Sequence, residues 1–161
     1  MIVDVQGDIL LSTASAIAHC VAPNDDFHSG LALSLRENWP GMYKDFRHYC
    51  RQSHPKTGTI WAWKGPNSPV IYSLLAQEAA YGAGGKPGKA DLVALGHSLA
   101  ELSKACDKEG HKTLALSRLA TGVGGLDWKD VKPLIAKHFA SSKVRVYQYD
   151  VFHKGKKAVE D

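Results

Sequence analysis

The sequence predicts a mixed α/β fold in which helices cover both faces of one sheet, and three observations lead there. Short apolar or β-branched runs recur along the chain, longer stretches repeat their apolar residues at helical spacing, and the two kinds follow one another as β, β, α, β, β, α, β, α, β. At 161 residues a single domain can bury most of what the unfolded chain exposes.

Met1 to Val5 and Ala16 to Val21 read as short strands, and Gly30 to Trp39 as a helix with Leu31 and Leu35 on one face. Thr59 to Trp63 and Val70 to Leu75 are β-branched or aromatic runs on either side of KGPNSP, whose two prolines and Asn67 mark a turn, so they are expected to be neighbouring strands. From Ala90 to Asp107 the residues Leu92, Leu95, Leu99, Leu102 and Cys106 advance by threes and fours, which stacks them on one helical face. Gly110 stands where a helix C-terminal cap belongs, and Thr113 to Leu116 reads as a buried strand. After a glycine-rich loop, Asp127 is a good N-cap for a helix over Trp128 to Phe139, in which Pro133 predicts a kink or a late start. Lys143 to Tyr149 alternates Val144, Val146 and Gln148 against Arg145, Tyr147 and Tyr149, as a last strand near a surface does. His153 to Asp161 is too polar to pack and reads as a frayed end, giving a domain at 1–152 and a polar tail at 153–161.

Twenty Lys plus Arg against sixteen acids leave a net charge of +4, which favours phosphate-bearing partners without naming one. There is no run of 18 apolar residues, and MIVDVQGD lacks the basic start and apolar core of a secretory signal, so neither membrane spanning nor export is expected. Cys20, Cys50 and Cys106 lie far apart with no C-x-x-C pair, which argues against a disulfide framework or thiolate zinc and for a reducing cytoplasm. The eight histidines are scattered without ligand-like spacing, so no metal and no cofactor is expected.

Three segments carry chemistry. In SRLATGVGGLDWKDV, from Ser117 to Val131, Gly122, Gly124 and Gly125 lie between a strand and a helix start. Glycines there let backbone N–H groups approach an anion, and a helix N-terminus adds positive partial charge, so a phosphate or pyrophosphate fits; a flexible connector has the same composition. No Walker lysine and no G-x-G-x-x-G stands here. In QGDIL, Asp8 can accept from an exocyclic amine such as that of adenine, or cap the residues that follow it. In AHCVAPNDDFHSG a strand end opens into a loop with Asn24, Asp25, Asp26, His28, Ser29 and Gly30, which suits ribose hydroxyls or simply a solvated turn.

Taken together and in this order, the three segments resemble the macro domain family over Met1 to about Tyr149. QGDIL matches the family's segment after the first strand, AHCVAPNDDFHSGLA looks like its first ligand loop and LATGVGGLDWKDV like its second; AHC and GGLDW are similar to the branch of terminal ADP-ribose protein glycohydrolase and the DNA ADP-ribosylglycohydrolase antitoxins. The resemblance implies a three-layer α/β/α sandwich around a mixed, about six-stranded sheet, with ADP-ribose held across the strand ends. It implies Asp8 at the adenine amine with Ile9 beside it, and Thr121, Gly122, Val123, Gly124, Gly125 and Leu126 around the pyrophosphate. His19, Cys20 and the loop through Ser29 and Gly30 would face the distal ribose, and Tyr149, or else Tyr147 or Phe152, would stack on adenine, although strand packing explains such tyrosines equally.

One departure matters. Where the glycohydrolase branch has a nucleophilic lysine after the strand corresponding to VIYSLLAQEAAYG, this chain has Gln77, and an amide cannot serve as an amine nucleophile. Lys86 and Lys89 follow in GAGGKPGK, from which a loop excursion would be needed to reach the cleft. His28 can act as acid or base, Asn24 can hold a water, and Asp127 is either an acid or only the helix N-cap. Three classes follow: a hydrolase acting on the distal ribose, of the ADP-ribosyl hydrolase type on an ADP-ribosylated protein, nucleic acid or metabolite or of the ADP-ribose 1″-phosphate phosphatase type; a reader or sequestering module for the same nucleotide; and a nucleic-acid binder, for which Trp61 and Trp63 speak but no clustered basic stripe does. A monomer that does not engage membranes is expected.

Overall fold

Six strands assemble into one sheet in the order β1-β6-β5-β2-β4-β3. They are β1 (Ile2–Gly7), β2 (Ala16–Val21), β3 (Thr59–Lys64), β4 (Val70–Leu75), β5 (Thr113–Leu116) and β6 (Arg145–Phe152). All neighbours run parallel except β3, which pairs antiparallel with β4 on one edge. The computed structural model describes residues 1–81 and 85–161; residues 82–84, part of the glycine-rich stretch before Lys86, lie outside the described residues.

Alternation explains the layers. In β2, Ala16 and Ala18 point with Tyr72, Leu74, Leu114, Leu116 and Val146 towards α3 (Leu92–Glu109) and α4 (Trp128–Phe139). Val21 points the other way, with Ile71 and Leu75, into a cluster closed by α1 (Gly30–Asn38) and α2 (Pro40–Ser53). The result is a three-layer α/β/α sandwich with a mixed six-stranded sheet, the predicted fold class. On the α1/α2 side those helices lie mainly over the β2-β4-β3 half, with Leu31 of α1 also touching the other half. The β1-β6-β5 half presents Val5, Ala115, Tyr147 and Tyr149, which pack with Ile9, Ala14, Ile17 and Ala158.

The predicted helix over 90–107 is α3, which the Asp91 side chain caps by accepting from Ala94 N at 2.8 Å and which stops at Gly110 in the left-handed conformation, φ +70°. Its fully buried Leu95, Leu99 and Leu102 each contribute about 1.5–3 kcal/mol through apolar burial. Helix α2 was not anticipated from the sequence, although Pro40 at its first turn and the buried Met42, Phe46 and Cys50 at intervals of four are its signal. Pro133 does not delay α4, which starts at Trp128 and continues through it to Phe139. The carbonyl that Pro133 leaves without a donor is that of Lys129, an exposed residue whose backbone can turn to water.

The last strand extends to Phe152, three residues past its expected end, and a register shift between Val5 and Gln6 lets β1 follow it. Nor does the segment after it fray. Residues 153–161 form no regular element, yet Lys156 O accepts from Asp8 N at 2.7 Å, His153 N donates to Gly7 O at 3.0 Å, and Ala158 is buried among Val5, Ile9 and Tyr149. The reason is architectural: of the described α-helices α1 reaches that half-face, through Leu31, and the segment supplies further cover with Ala158. No described helix is long and apolar enough to cross a membrane.

Candidate functional site

Because five strands run parallel, the loops after β1, β2, β4, β5 and β6 emerge at one edge of the sheet, where a crevice is expected in such folds. A cleft of about 890 Å³ lies there, within the range of small-ligand sites, and every one of those loops contributes to its lining.

The loop after β5 forms the most distinctive wall. Leu126 N donates to Ala120 O at 2.9 Å and Gly125 N to Gly122 O at 3.1 Å, which folds 120–126 into a tight hook with Ala120 at φ +60° and Gly125 at φ +73°. Among the described residues, no acceptor takes the backbone N–H groups of Gly122, Val123 and Gly124, and all three residues line the cleft with Thr121. Consecutive unpaired amides around a concave turn make an anion cradle. Glycine at 124 is obligatory, since a Cβ there would stand 2.6 Å from Ala120 O. Two expected members of this wall fall outside it: Gly125 spends its N–H inside the hook, and Leu126 packs towards the α3/α4 core.

The loop after β2 is built around Asp25, whose carboxylate accepts from Ala22 N at 3.1 Å and Phe27 N at 2.9 Å. Burial pushes its carboxyl above the ordinary range. Phe27, fully buried, anchors the loop against Phe46 with ring centroids 4.9 Å apart. His28, Ser29 and Gly30 are thereby presented, exposed, to the cleft. Asn24 is not: at φ +59° it turns away, its N–H against Cys50 Sγ at 3.2 Å and its amide towards Ala80 O. It therefore does not stand in the cleft lining, where a reacting water would be held. Asp127 likewise stands outside the cleft, capping α4 through Lys129 N at 3.1 Å, as its capping alternative required.

His19 and Cys20 at the end of β2 both line the cleft. The His19 ring is buried, with Nε2 2.9 Å from Ser73 Oγ and Nδ1 without a partner among the described residues, and burial drives its pKa down to about 3. It is a neutral hydrogen-bonding group at any physiological pH. Burial also pushes the Cys20 thiol up to about 12, so it is no nucleophile at neutral pH.

Gln77, standing where a lysine was sought, lines the cleft but is a brace: its Nε2 donates to Gly88 O at 3.0 Å. With Glu78 N bonded to Lys89 O and Ala90 N to Gly124 O, both at 2.9 Å, it ties residues 86–90 between the end of β4 and the anion hook. The loop excursion required for a lysine thus exists, and Lys86 and Pro87 line the cleft while Lys89 does not.

At the opposite end, Asp8 is buried beneath the 3-10 turn Ile9–Leu11, with Oδ1 accepting from Leu10 N at 3.0 Å and Oδ2 from Gly155 N at 2.9 Å. A carboxylate has about four acceptor sites, so this capping leaves capacity facing the cleft that it lines with Ile9. Of the three candidate aromatics, Tyr147 is not in the lining; Tyr149 is, but it is buried with its hydroxyl donated to Glu160 at 2.7 Å. Phe152, 62% exposed and also lining the cleft, has the free ring face that stacking needs. Arg118 and Lys154 also line the cleft and are not singled out by the sequence; their one signal is proximity to a strand's carboxyl end. Among the described residues, no three His, Cys, Asp or Glu side chains converge as metal ligands would.

Sheet order, layers and cleft together define a macrodomain fold. The macrodomain of Mycobacterium tuberculosis DarG is similar with a TM-score of 0.83 at 21% identity, over 92% of this chain and 97% of that one. Thermosipho africanus DarTG in complex with ADP-ribose is similar with a TM-score of 0.82 at 20% identity, over 97% of this chain and 42% of that one. In sequence, human ADP-ribose glycohydrolase OARD1 is 21% identical over 146 residues, 90% of this chain and 88% of the relative. No family model matches the chain.

Proposed function

We propose that this protein binds ADP-ribose or an ADP-ribosylated molecule along the cleft and hydrolyses a group from the distal ribose. The observation that carries the reading is the hook of unpaired Gly122, Val123 and Gly124 amides midway between an acceptor carboxylate at Asp8 and a polar end at His28, Ser29 and Lys86. A diphosphate suits the hook, because hydrogen bonds to a charged oxygen are roughly twice as strong as neutral ones. Asp8 takes the adenine amine, Phe152 the adenine face, and His19 Nδ1 a distal-ribose hydroxyl. DarTG, whose solved complex contains ADP-ribose, and OARD1, named a glycohydrolase, support this choice of ligand and reaction.

For turnover, His28 is the acid–base group at the distal end and acts on a water there, while Lys86 sets positive charge beside the departing group. The experiment is incubation with ADP-ribosylated protein, ADP-ribosylated DNA and ADP-ribose 1″-phosphate, following release of ADP-ribose or phosphate, in the wild type, His28→Ala and Lys86→Ala. One or more substrates are turned over, and each variant loses turnover at least tenfold with ADP-ribose affinity retained. The commitment of Gln77 to Gly88 favours a second reading, a reader without chemistry. It is the conclusion if the wild type releases nothing while binding ADP-ribose.

A further inference from the structure

The segment after β6 reaches Asp8 from behind, and the manner in which it is held singles out Glu160. Its carboxylate accepts from Ser12 Oγ at 2.6 Å, Thr13 N at 2.9 Å, Thr13 Oγ1 at 3.1 Å and Tyr149 OH at 2.7 Å. Burial raises its pKa, but the hydrogen bonds from Ser12, Tyr149 and Thr13 outweigh this and hold the carboxyl below its ordinary range. Glu160 does not line the cleft. What it anchors does: Lys154 belongs to the lining, and Gly155 N holds Asp8 Oδ2. The fit on the strand side is close, since a Cβ on Gly7 would stand 2.8 Å from both Lys156 O and Ala158 N.

The geometry points to Glu160 as a positioning residue for the base end of the cleft: by anchoring residues 153–160 it keeps the Gly155 amide on Asp8, and so fixes the direction in which Asp8 presents its free lone pairs. Held only by Leu10 N within its own turn, the carboxylate would have one restraint and could rotate. With Gly155 it has two, one on each oxygen. A preorganised acceptor rejects a ligand lacking the matching donor far more strongly than a mobile one. Glu160 therefore sets selectivity for a 6-amino purine from outside the binding surface.

This inference rests on the reading of Asp8 as the adenine contact, and its test separates the two. Affinities for ADP-ribose and for inosine diphosphate ribose, which has a carbonyl in place of the amine, are measured for the wild type, Glu160→Gln, Ser12→Ala and Asp8→Ala. The wild type prefers the adenine ligand by about tenfold or more, the range for a hydrogen bond to a charged group. Glu160→Gln, which keeps the shape and loses the charge, narrows that preference at least threefold, and Ser12→Ala narrows it in the same direction. General loosening would lower both affinities by one factor and leave the ratio unmoved. A folded Glu160→Gln with the wild-type ratio, while Asp8→Ala abolishes it, overturns the positioning role. An Asp8→Ala ratio equal to that of the wild type overturns the adenine contact itself.

Discussion

Replacing Gly124 with alanine tests whether the anion hook is a rigid, glycine-dependent device. The added Cβ would lie 2.6 Å from Ala120 O and 3.0 Å from Ala120 C and Cα, all backbone atoms. That is about 0.8 Å inside ordinary contact, too close for side-chain adjustment to relieve. Either partner must move, and each is pinned: Ala120 O accepts from Leu126 N and Gly124 O from Ala90 N, both at 2.9 Å. Losing these two bonds costs about 1 kcal/mol each, and the overpacking about 1–3 kcal/mol more, or roughly 3–5 kcal/mol in all. At about 2–4 °C per kcal/mol for a chain of this size, thermal denaturation should show a fall of about 10 °C. Gly122→Ala is the control, because its Cβ would meet nothing within 4 Å, and its midpoint should stay within about 2 °C. Equal midpoints for Gly124→Ala and the wild type would falsify the pinned-hook geometry.

Three further outcomes are expected. Asp8→Ala weakens ADP-ribose and AMP alike by about tenfold or more, since both carry adenine, as read by calorimetry. The pKa of His19 is about 3 in the folded state against an ordinary 6.5, so folding stability is complete above pH 6.5 and is lost as the pH falls below it. The slope is about 1.4 kcal/mol per pH unit. His111 and His138 are lowered too and add to the wild-type slope, so the measurement is the difference between the wild type and His19→Gln in chemical denaturation at pH 5.2 and 7, with a shallower dependence in the variant. Lastly, Lys89→Ala keeps full turnover where Lys86→Ala does not, because only Lys86 faces the cleft; equal losses would assign the effect to the strap rather than to the amine.

The fold was legible wherever a periodic signal was undiluted. The bounds of β2, β4 and β5 are those read from the apolar runs, and α3 declares itself through Leu95, Leu99 and Leu102 with Gly110 at its end. Helix α2 escaped because its buried Met42, Phe46 and Cys50 are interspersed with Lys44, Asp45, Arg47, His48 and Arg51, which mask a correct four-residue spacing. The polar segment 153–161 looked unpackable because composition cannot reveal that the α-helices leave half a sheet face largely open. Much of the cleft lining was also visible: Asp8, Gly122 to Gly124 and His28 through Gly30 all border it. The misplacements trace to backbone direction. A positive φ rotates Asn24 away, and the brace from Gln77 to Gly88 brings Lys86 in, neither of which residue types encode.

Calorimetric titration of ADP-ribose into the protein, with AMP as the partial ligand, bears most directly on the cleft as an ADP-ribose site. Saturable one-to-one binding is predicted, tighter than that of AMP by at least tenfold because the hook and the distal end are engaged, and weakened by Gly124→Ala. Absence of heat at millimolar ADP-ribose, or binding no tighter than that of AMP, would contradict it.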